Sequence, residues 1–408
     1  MRRLVADCSL SRLIDTLRAR PEARQTPAIN GTMADSIRQR GRDRAASGFE
    51  GTDMAWAELP GMAFAAFLSI ITARHGRLLA ALTLALAAAG PAAAQAAEEP
   101  ALPFQHFLVG DPADVVPLRM SLPSLVLMGG GRSVPDAFRW MIERSGGGNF
   151  VVLRAAGNDA YNDYLYALGG LSSVETLVIP SREAASHPFV LSRVRQADAL
   201  FIAGGNQGDY VRYWKDTPLD RAIHELADYN VPIAGFSAGL AILGEYAFTA
   251  ERGAIRSAAA MADPFDQAIT LSHDFLALPA LRNVITDSHF DTRDRMGRLI
   301  TFMSRLVSEG RTDTVRGIGV GSGAALLVED GWAERVGGGP VYFLETSTAP
   351  EVLQPRLPLT HRGIRIQRLE SGRFDMQRWA GKDAQLNQYS VSVVNGMLDP
   401  HDAGERSQ

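Results

Sequence analysis

The sequence predicts an α/β fold, a doubly wound and mostly parallel sheet with a β-rich C-terminal portion, and three observations predict it. Four-residue apolar runs alternate with helical stretches between Leu125 and Thr286, as in parallel strands covered on both faces. Several runs end in glycine-rich or polar turns, and ligands of such folds gather outside the strand C-termini. After Gly317-Ile318-Gly319-Val320 the character changes to short strand-like runs separated by Gly and Pro.

The first strand, Leu125-Val126-Leu127-Met128, runs into Gly129-Gly130-Gly131, and residues 136–142 then have the apolar spacing of an amphipathic helix. Residues 150–153, 176–179 and 199–202 read as the next strands, the last of them ending in Ala203-Gly204-Gly205-Asn206-Gln207. Val231-Pro232-Ile233-Ala234 follows and meets Gly235-Phe236-Ser237-Ala238-Gly239, with a small-residue helix start expected at Leu240-Ala241-Ile242. Residues 283–286 lead to Asp287-Ser288-His289-Phe290. Residues 324–328, 341–344 and 363–366 supply strands of the C-terminal portion.

The N-terminal quarter reads differently. Residues 1 to about 60 show no sustained apolar period, and residues 1–75 are expected to be an extension outside the fold. Residues 76–96 carry the core of a signal peptide. Basic Arg74-His75-Gly76-Arg77 precedes an apolar run from Leu78 to Ala89, and an Ala-x-Ala cleavage site ends at Ala96. Translation is then expected to start at Met54 or Met62, the alternative being an uncleaved anchor. Two segments remain, an α/β domain at 97–320 and a β-rich extension at 321–408 packed on it. The single cysteine, Cys8, falls in the discarded region, which excludes disulfides, thiolate metal sites and a cysteine nucleophile from the mature chain. Absence of thiols suits a secreted or periplasmic protein. A net charge of −4 with both signs interspersed gives no basic surface for nucleic acid. Once the signal is cleaved, no membrane partner is expected, and a homodimer is compatible with the sequence.

Ser237 lies between two glycines at a strand-to-helix turn, where a serine hydroxyl is held exposed on a strained elbow. Such turns also occur in apolar α/β cores, so the serine needs a base and oxyanion donors. Of the histidines, only His289 stands at a strand C-terminus among polar groups, on the edge that carries Ser237. His106, His187, His361 and His401 fall in loop-like or terminal segments, His224 on a helix and His273 in a polar connection. Gly205 and Asn206 belong to a second glycine turn on the same edge, so their backbone N–H groups, with that of Ala238, are candidate oxyanion donors. Gly129-Gly130-Gly131 lacks the G-x-G-x-x-G spacing, which argues against a dinucleotide cofactor. Asp287, Arg293, Arg295 and Arg298 crowd around His289. They read either as a cluster for carboxylates and guanidinium groups or as the solvated face of a helix starting near Asp294.

Together these residues resemble cyanophycinase and its relatives, the serine peptidase family that also contains the aspartyl dipeptidase peptidase E. The likeness covers roughly residues 123–345. It rests on the opening glycine turn, the Gly-Gly-x-Gln turn, the elbow Phe236-Ser237-Ala238-Gly239 and Asp287-x-His289-Phe290-x-x-Arg293-x-Arg295-x-x-Arg298-Leu299. The resemblance implies a Rossmann-like fold similar to class I glutamine amidotransferases, with serine replacing their cysteine and no cofactor. It implies cleavage of cyanophycin, a poly-aspartate carrying arginine on each β-carboxyl, to β-Asp-Arg dipeptides. Ser237 would be the nucleophile and His289 the base, with Gln207, Asp287, Arg293, Arg295 and Arg298 lining the substrate pocket. A triad acid is implied between Ser237 and His289: Asp266 first, then Asp263, with Glu251 a third choice. Three departures stand out. Asn206 replaces Asp, Ser288 replaces Gln, and Gly321-Ser322-Gly323-Ala324 replaces Asp-Glu-x-Thr. The last is expected to weaken recognition of the arginine side chain. The rival readings are a peptidase for other Asp-containing dipeptides or isopeptides and a non-catalytic acidic-peptide binder. An α/β-hydrolase esterase shares the elbow, but the arginine string is foreign to that fold.

Overall fold

The computed structural model describes residues 101–113, 123–312 and 314–399; the extension at 1–75 and the signal region at 76–96 lie outside the described residues. Six strands open the fold: β1 (Gln105–Gly110), β2 (Ser124–Met128), β3 (Asn149–Arg154), β4 (Ser173–Val178), β5 (Ala199–Ile202) and β6 (Ile233–Phe236). They lie in the order β1-β4-β3-β5-β6-β2. All neighbours from β4 to β2 are parallel, and β1 pairs antiparallel with β4 at the edge. Every residue of β2 and β5 is buried, the burial a parallel strand gets when helices cover both faces.

The connecting helices are α1 (Pro135–Ser145), α2 (Asn162–Ala167), α3 (Pro188–Arg195), α4 (Gln207–Trp214) and α5 (Pro218–Asp228). Their ends follow local chemistry. Pro135 and Pro218 stand in the first turns of α1 and α5, where a missing N–H costs nothing. Thr217 accepts the Asp220 N–H as N-cap of α5, and Gly146 closes α1 in the left-handed conformation. Phe138, Phe201, Leu127 and Trp214 are fully buried among the parallel strands and helices. Truncating any of them to alanine leaves a cavity costing about 2–5 kcal/mol.

The later elements are β7 (Tyr246–Phe248), α6 (Ser257–Ala262), β8 (Leu271–His273), β9 (Val284–Asp287), α7 (Met296–Ser308) and β10 (Val315–Val320). Then come β11 (Ala324–Glu329), β12 (Trp332–Gly337), β13 (Val341–Thr346), β14 (His361–Asp375), β15 (Ala380–Val394) and β16 (Met397–Asp399). β11 joins β2 antiparallel, and the order continues β12-β14-β13-β10-β9-β7-β8 within one sheet of 16 strands among the described residues. The chain is therefore a mixed α/β sheet with a parallel core and a β-rich C-terminal region. Phe343, Phe374 and Trp379 pack ring against ring beneath the β14–β15 hairpin.

Several expectations need correction. No α-helix follows the elbow: Leu240–Ile242 is a single 3₁₀ turn. Gly244 then brings the backbone against Val284, where an added Cβ would meet its carbonyl oxygen at 2.5 Å. The turn must end there for the chain to enter β7 beside β9. Strand β4 begins at Ser173 rather than 176, with polar Glu175 accommodated inside it by an ion pair with Arg193 and a hydrogen bond with His106 at 2.8 Å. His106, His273 and His361 lie on strands β1, β8 and β14, not in loops.

Candidate active site

Strand β6 delivers Ser237 to the C-terminal edge of the parallel core. Its flanking glycines are required by close backbone packing. A Cβ on Gly239 would lie 2.1 Å from the Ile202 carbonyl oxygen, and one on Gly235 would lie 2.6 Å from that of Gly239. The chain turns so sharply that Ser237 adopts φ 55°, a left-handed conformation costing a residue with a Cβ about 1–3 kcal/mol. Its N–H donates to Met128 O at 3.0 Å, tying the elbow to β2. Oγ lies 2.8 Å from His289 Nε2, so the two predicted residues meet in hydrogen-bond contact.

His289 follows β9 with φ 45°, and its N–H donates to Gly129 O at 2.7 Å. The ring rests over Gly130, where an added Cβ would lie 2.5 Å from Nε2 and 3.0 Å from Ser237 Cβ. Desolvation lowers the imidazole pKa to about 4, helped by the charges of Arg293 and Arg295 and opposed by Asp287 and Asp291. At neutral pH the ring is therefore uncharged and able to take the serine proton. Nδ1 faces Ser322 Oγ at 3.2 Å, and that hydroxyl lies 2.8 Å from Thr292 Oγ1. The Ser322 N–H donates to Asp291 Oδ1 at 2.8 Å.

The expected acids do not reach His289. Asp266 Oδ1 accepts the Ala268 N–H at 2.8 Å, and Asp263 Oδ1 accepts those of Phe265 and Arg356 at 3.0 Å. Glu251 accepts from Thr249 Oγ1 at 3.1 Å. These carboxylates are used in local turns of the segment carrying β7, α6 and β8 and, for Asp263, in a tie to Arg356, so none occupies the triad position.

The predicted pocket cluster also divides. Asp287 takes Arg298 in a two-point pair, Nη2–Oδ1 2.6 Å and Nε–Oδ2 2.7 Å, and Arg295 Nη1 adds a bond of 2.9 Å. Arg298 also stacks over Phe248 and Phe302 and donates to Ile255 O. Asp287 and Arg298 are only 3% and 2% exposed, so this is an internal ion cluster anchoring α7 rather than a pocket lining. Arg293 alone is solvent-exposed beside His289. Gln207 is half-buried and donates through Nε2 to Phe248 O at 2.9 Å.

Among the oxyanion candidates, the Ala238 N–H meets no acceptor among the described residues. Asn206 uses its side chain as N-cap of α4, accepting the Gly208 N–H at 3.1 Å. Gly205 packs on Tyr210, and Gly204 comes nearer the nucleophile, an added Cβ lying 3.5 Å from Ser237 Cβ. Sequence reasoning missed Gly130, Thr292 and the contact of Ser322 with His289. The glycine triplet is legible as the opening turn of the family likeness and as a nucleotide turn without the right spacing, but its sequence does not show that Gly130 underlies the His289 ring. A cavity of about 600 Å³, lined by Gly131, Arg132, Ser133, Ser322 and Gly338 among others, opens beside Ser322.

Residues 160–336 match the model of peptidase family S51. Cyanophycinases from Trichormus variabilis and from a Nostoc species are each 27% identical over 209 residues, 50% of this chain. The match spans 65% of the length of those relatives, just under two thirds. A cyanophycinase from Synechococcus elongatus is 27% identical over 178 residues, 43% of this chain and 50% of that protein. Of solved structures, a peptidase from an acI-B1 Actinobacterium is 17% identical, covering 55% of this chain and 91% of that one at a TM-score of 0.40.

Proposed function

We propose, on the premise that this chain belongs to the cyanophycinase and peptidase E-like family, that it is a serine-type peptidase using Ser237 and His289. The observation that carries the reading is the 2.8 Å contact of Ser237 Oγ with His289 Nε2 on a positive-φ elbow. Ser237 Oγ attacks the substrate carbonyl carbon while His289 Nε2 takes the hydroxyl proton. The oxyanion is held by the free Ala238 N–H with help from the neighbouring glycine turn. His289 then returns the proton to the departing amine, and water repeats the sequence on the acyl-enzyme.

The substrate proposed is cyanophycin, released as β-Asp-Arg dipeptides, supported by the relatives' name and by the arginine beside the base. A second reading, another Asp-containing dipeptide or isopeptide, is favoured by the internal pairing of Asp287 with Arg295 and Arg298. That pairing leaves Arg293 as the exposed arginine of the predicted cluster. A class I glutamine amidotransferase-like fold and export through the 76–96 signal complete the proposal. The test is incubation of residues 97–408 with cyanophycin granules and a panel of β-linked and α-linked aspartyl dipeptides, read by mass spectrometry. Release of β-Asp-Arg by the unmodified chain and not by Ser237→Ala supports the first reading. Turnover of dipeptides alone supports the second, and equal turnover by Ser237→Ala refutes both.

A further inference from the structure

The geometry points to Ser322 as the positioning residue of His289, with a hydroxyl relay through Thr292 taking the place that a carboxylate holds in a Ser-His-acid triad. The inference rests on Ser237 being the nucleophile and deepens that reading. When Nε2 accepts the Ser237 proton, the other ring nitrogen carries the imidazole hydrogen. Nδ1–H then donates a hydrogen bond to Ser322 Oγ at 3.2 Å, and the Ser322 hydroxyl in turn donates one to Thr292 Oγ1 at 2.8 Å, with no proton transferred beyond His289. The Ser322 N–H bond to Asp291 Oδ1 fixes the turn between β10 and β11 on which the hydroxyl stands.

A hydroxyl can accept the Nδ1–H as a carboxylate does, but it can also donate, so it orients the ring without forcing the tautomer, and it supplies no negative charge to the imidazolium that forms during attack. Nearby charge does not compensate. Arg293 and Arg295 oppose the imidazolium more than Asp287 and Asp291 favour it, Asp287 being paired with two arginines and Asp291 solvent-exposed with one oxygen on the Ser322 backbone. The relay therefore orients His289 while leaving it a weak base. A carboxylate introduced at position 322 would find room in the cavity beside that residue. It would strengthen the base, because a hydrogen bond to a charged acceptor is roughly twice as strong as a neutral one.

The experiment measures the rate at which a fluorophosphonate probe labels Ser237 in the full chain between about pH 4 and 9. In this reaction the Ser237 O–P bond forms, the P–F bond breaks, fluoride leaves, and the serine proton passes to His289. Ser322→Ala is expected to label about 10- to 100-fold more slowly at neutral pH, with its thermal unfolding unchanged. Thr292→Val, which keeps Ser322 but removes its acceptor, should slow labelling by a smaller factor. Ser322→Asp should label faster than Ser322→Ala, with the acid limb of its pH profile displaced upward. If Ser322→Ala fails to fold, Thr292→Val and Ser322→Asp carry the comparison. Labelling of Ser322→Ala and Thr292→Val at the unmodified rate, with the same pH profile, overturns the relay while leaving Ser237 as nucleophile. No labelling of Ser237 in the unmodified chain overturns the nucleophile, and the relay with it.

Discussion

Gly130 stands against His289 so closely that a methyl group on its Cα would lie 2.5 Å from Nε2 and 2.6 Å from Cε1. The residue also has φ 91°. Glycine is thus needed for two independent reasons, conformation and space. Gly130→Ala is expected to push the imidazole off Ser237 and lower probe labelling by about 100-fold or more, since near-attack geometry tolerates little displacement. Near-normal labelling of a folded Gly130→Ala would show that the ring does not work from this position.

Strain at the nucleophile predicts a conflict between stability and activity. Ser237→Gly relieves the positive φ, whereas Ser237→Ala retains it. Both lose activity, but the glycine variant should be the more stable by about 1 kcal/mol in denaturant unfolding. Equal stabilities would mean that the elbow is not strained.

The low pKa of His289 fixes the pH dependence. The base is active when neutral, so the acid limb of the labelling rate should fall near pH 4 rather than near the ordinary 6.5. Arg293 lowers that pKa, so Arg293→Gln should move the limb upward. The same depression has a sign for stability. The unfolded chain protonates this histidine first, so its contribution is complete above the unfolded value and is lost as pH falls toward 4. A limb at 6.5 in the unmodified chain would contradict the desolvated environment.

Asp287 should behave as a structural residue. Asp287→Asn leaves Arg298, itself 2% exposed, without its counter-ion. Removing one partner of a buried pair costs about 3–5 kcal/mol. Chemical denaturation should register that loss, while KM of any residual folded enzyme changes little. A folded, fully stable variant with a raised KM would return Asp287 to the substrate pocket.

The parallel core was legible because β2, β3 and β5 are nearly continuous apolar runs. Strand β1 alternates exposed and half-buried residues, and β15 carries mostly polar ones, so neither announced itself. Ser237 and His289 were legible because each sits where a buried strand ends. The arginine string was visible, but its spacing does not reveal that Arg298 lies on the inward side of α7. Gly321-Ser322 was visible too, as a departure read as altered substrate recognition. Only the long-range return of β10 and β11 to the ends of β9 and β2 brings Ser322 behind His289.

The most direct measurement is intact-mass and peptide mapping of residues 97–408 after reaction with a fluorophosphonate probe. The account predicts one adduct, on Ser237, abolished in Ser237→Ala and slowed by orders of magnitude in His289→Ala. An adduct on another serine, or labelling of Ser237 that is indifferent to loss of His289, would contradict it.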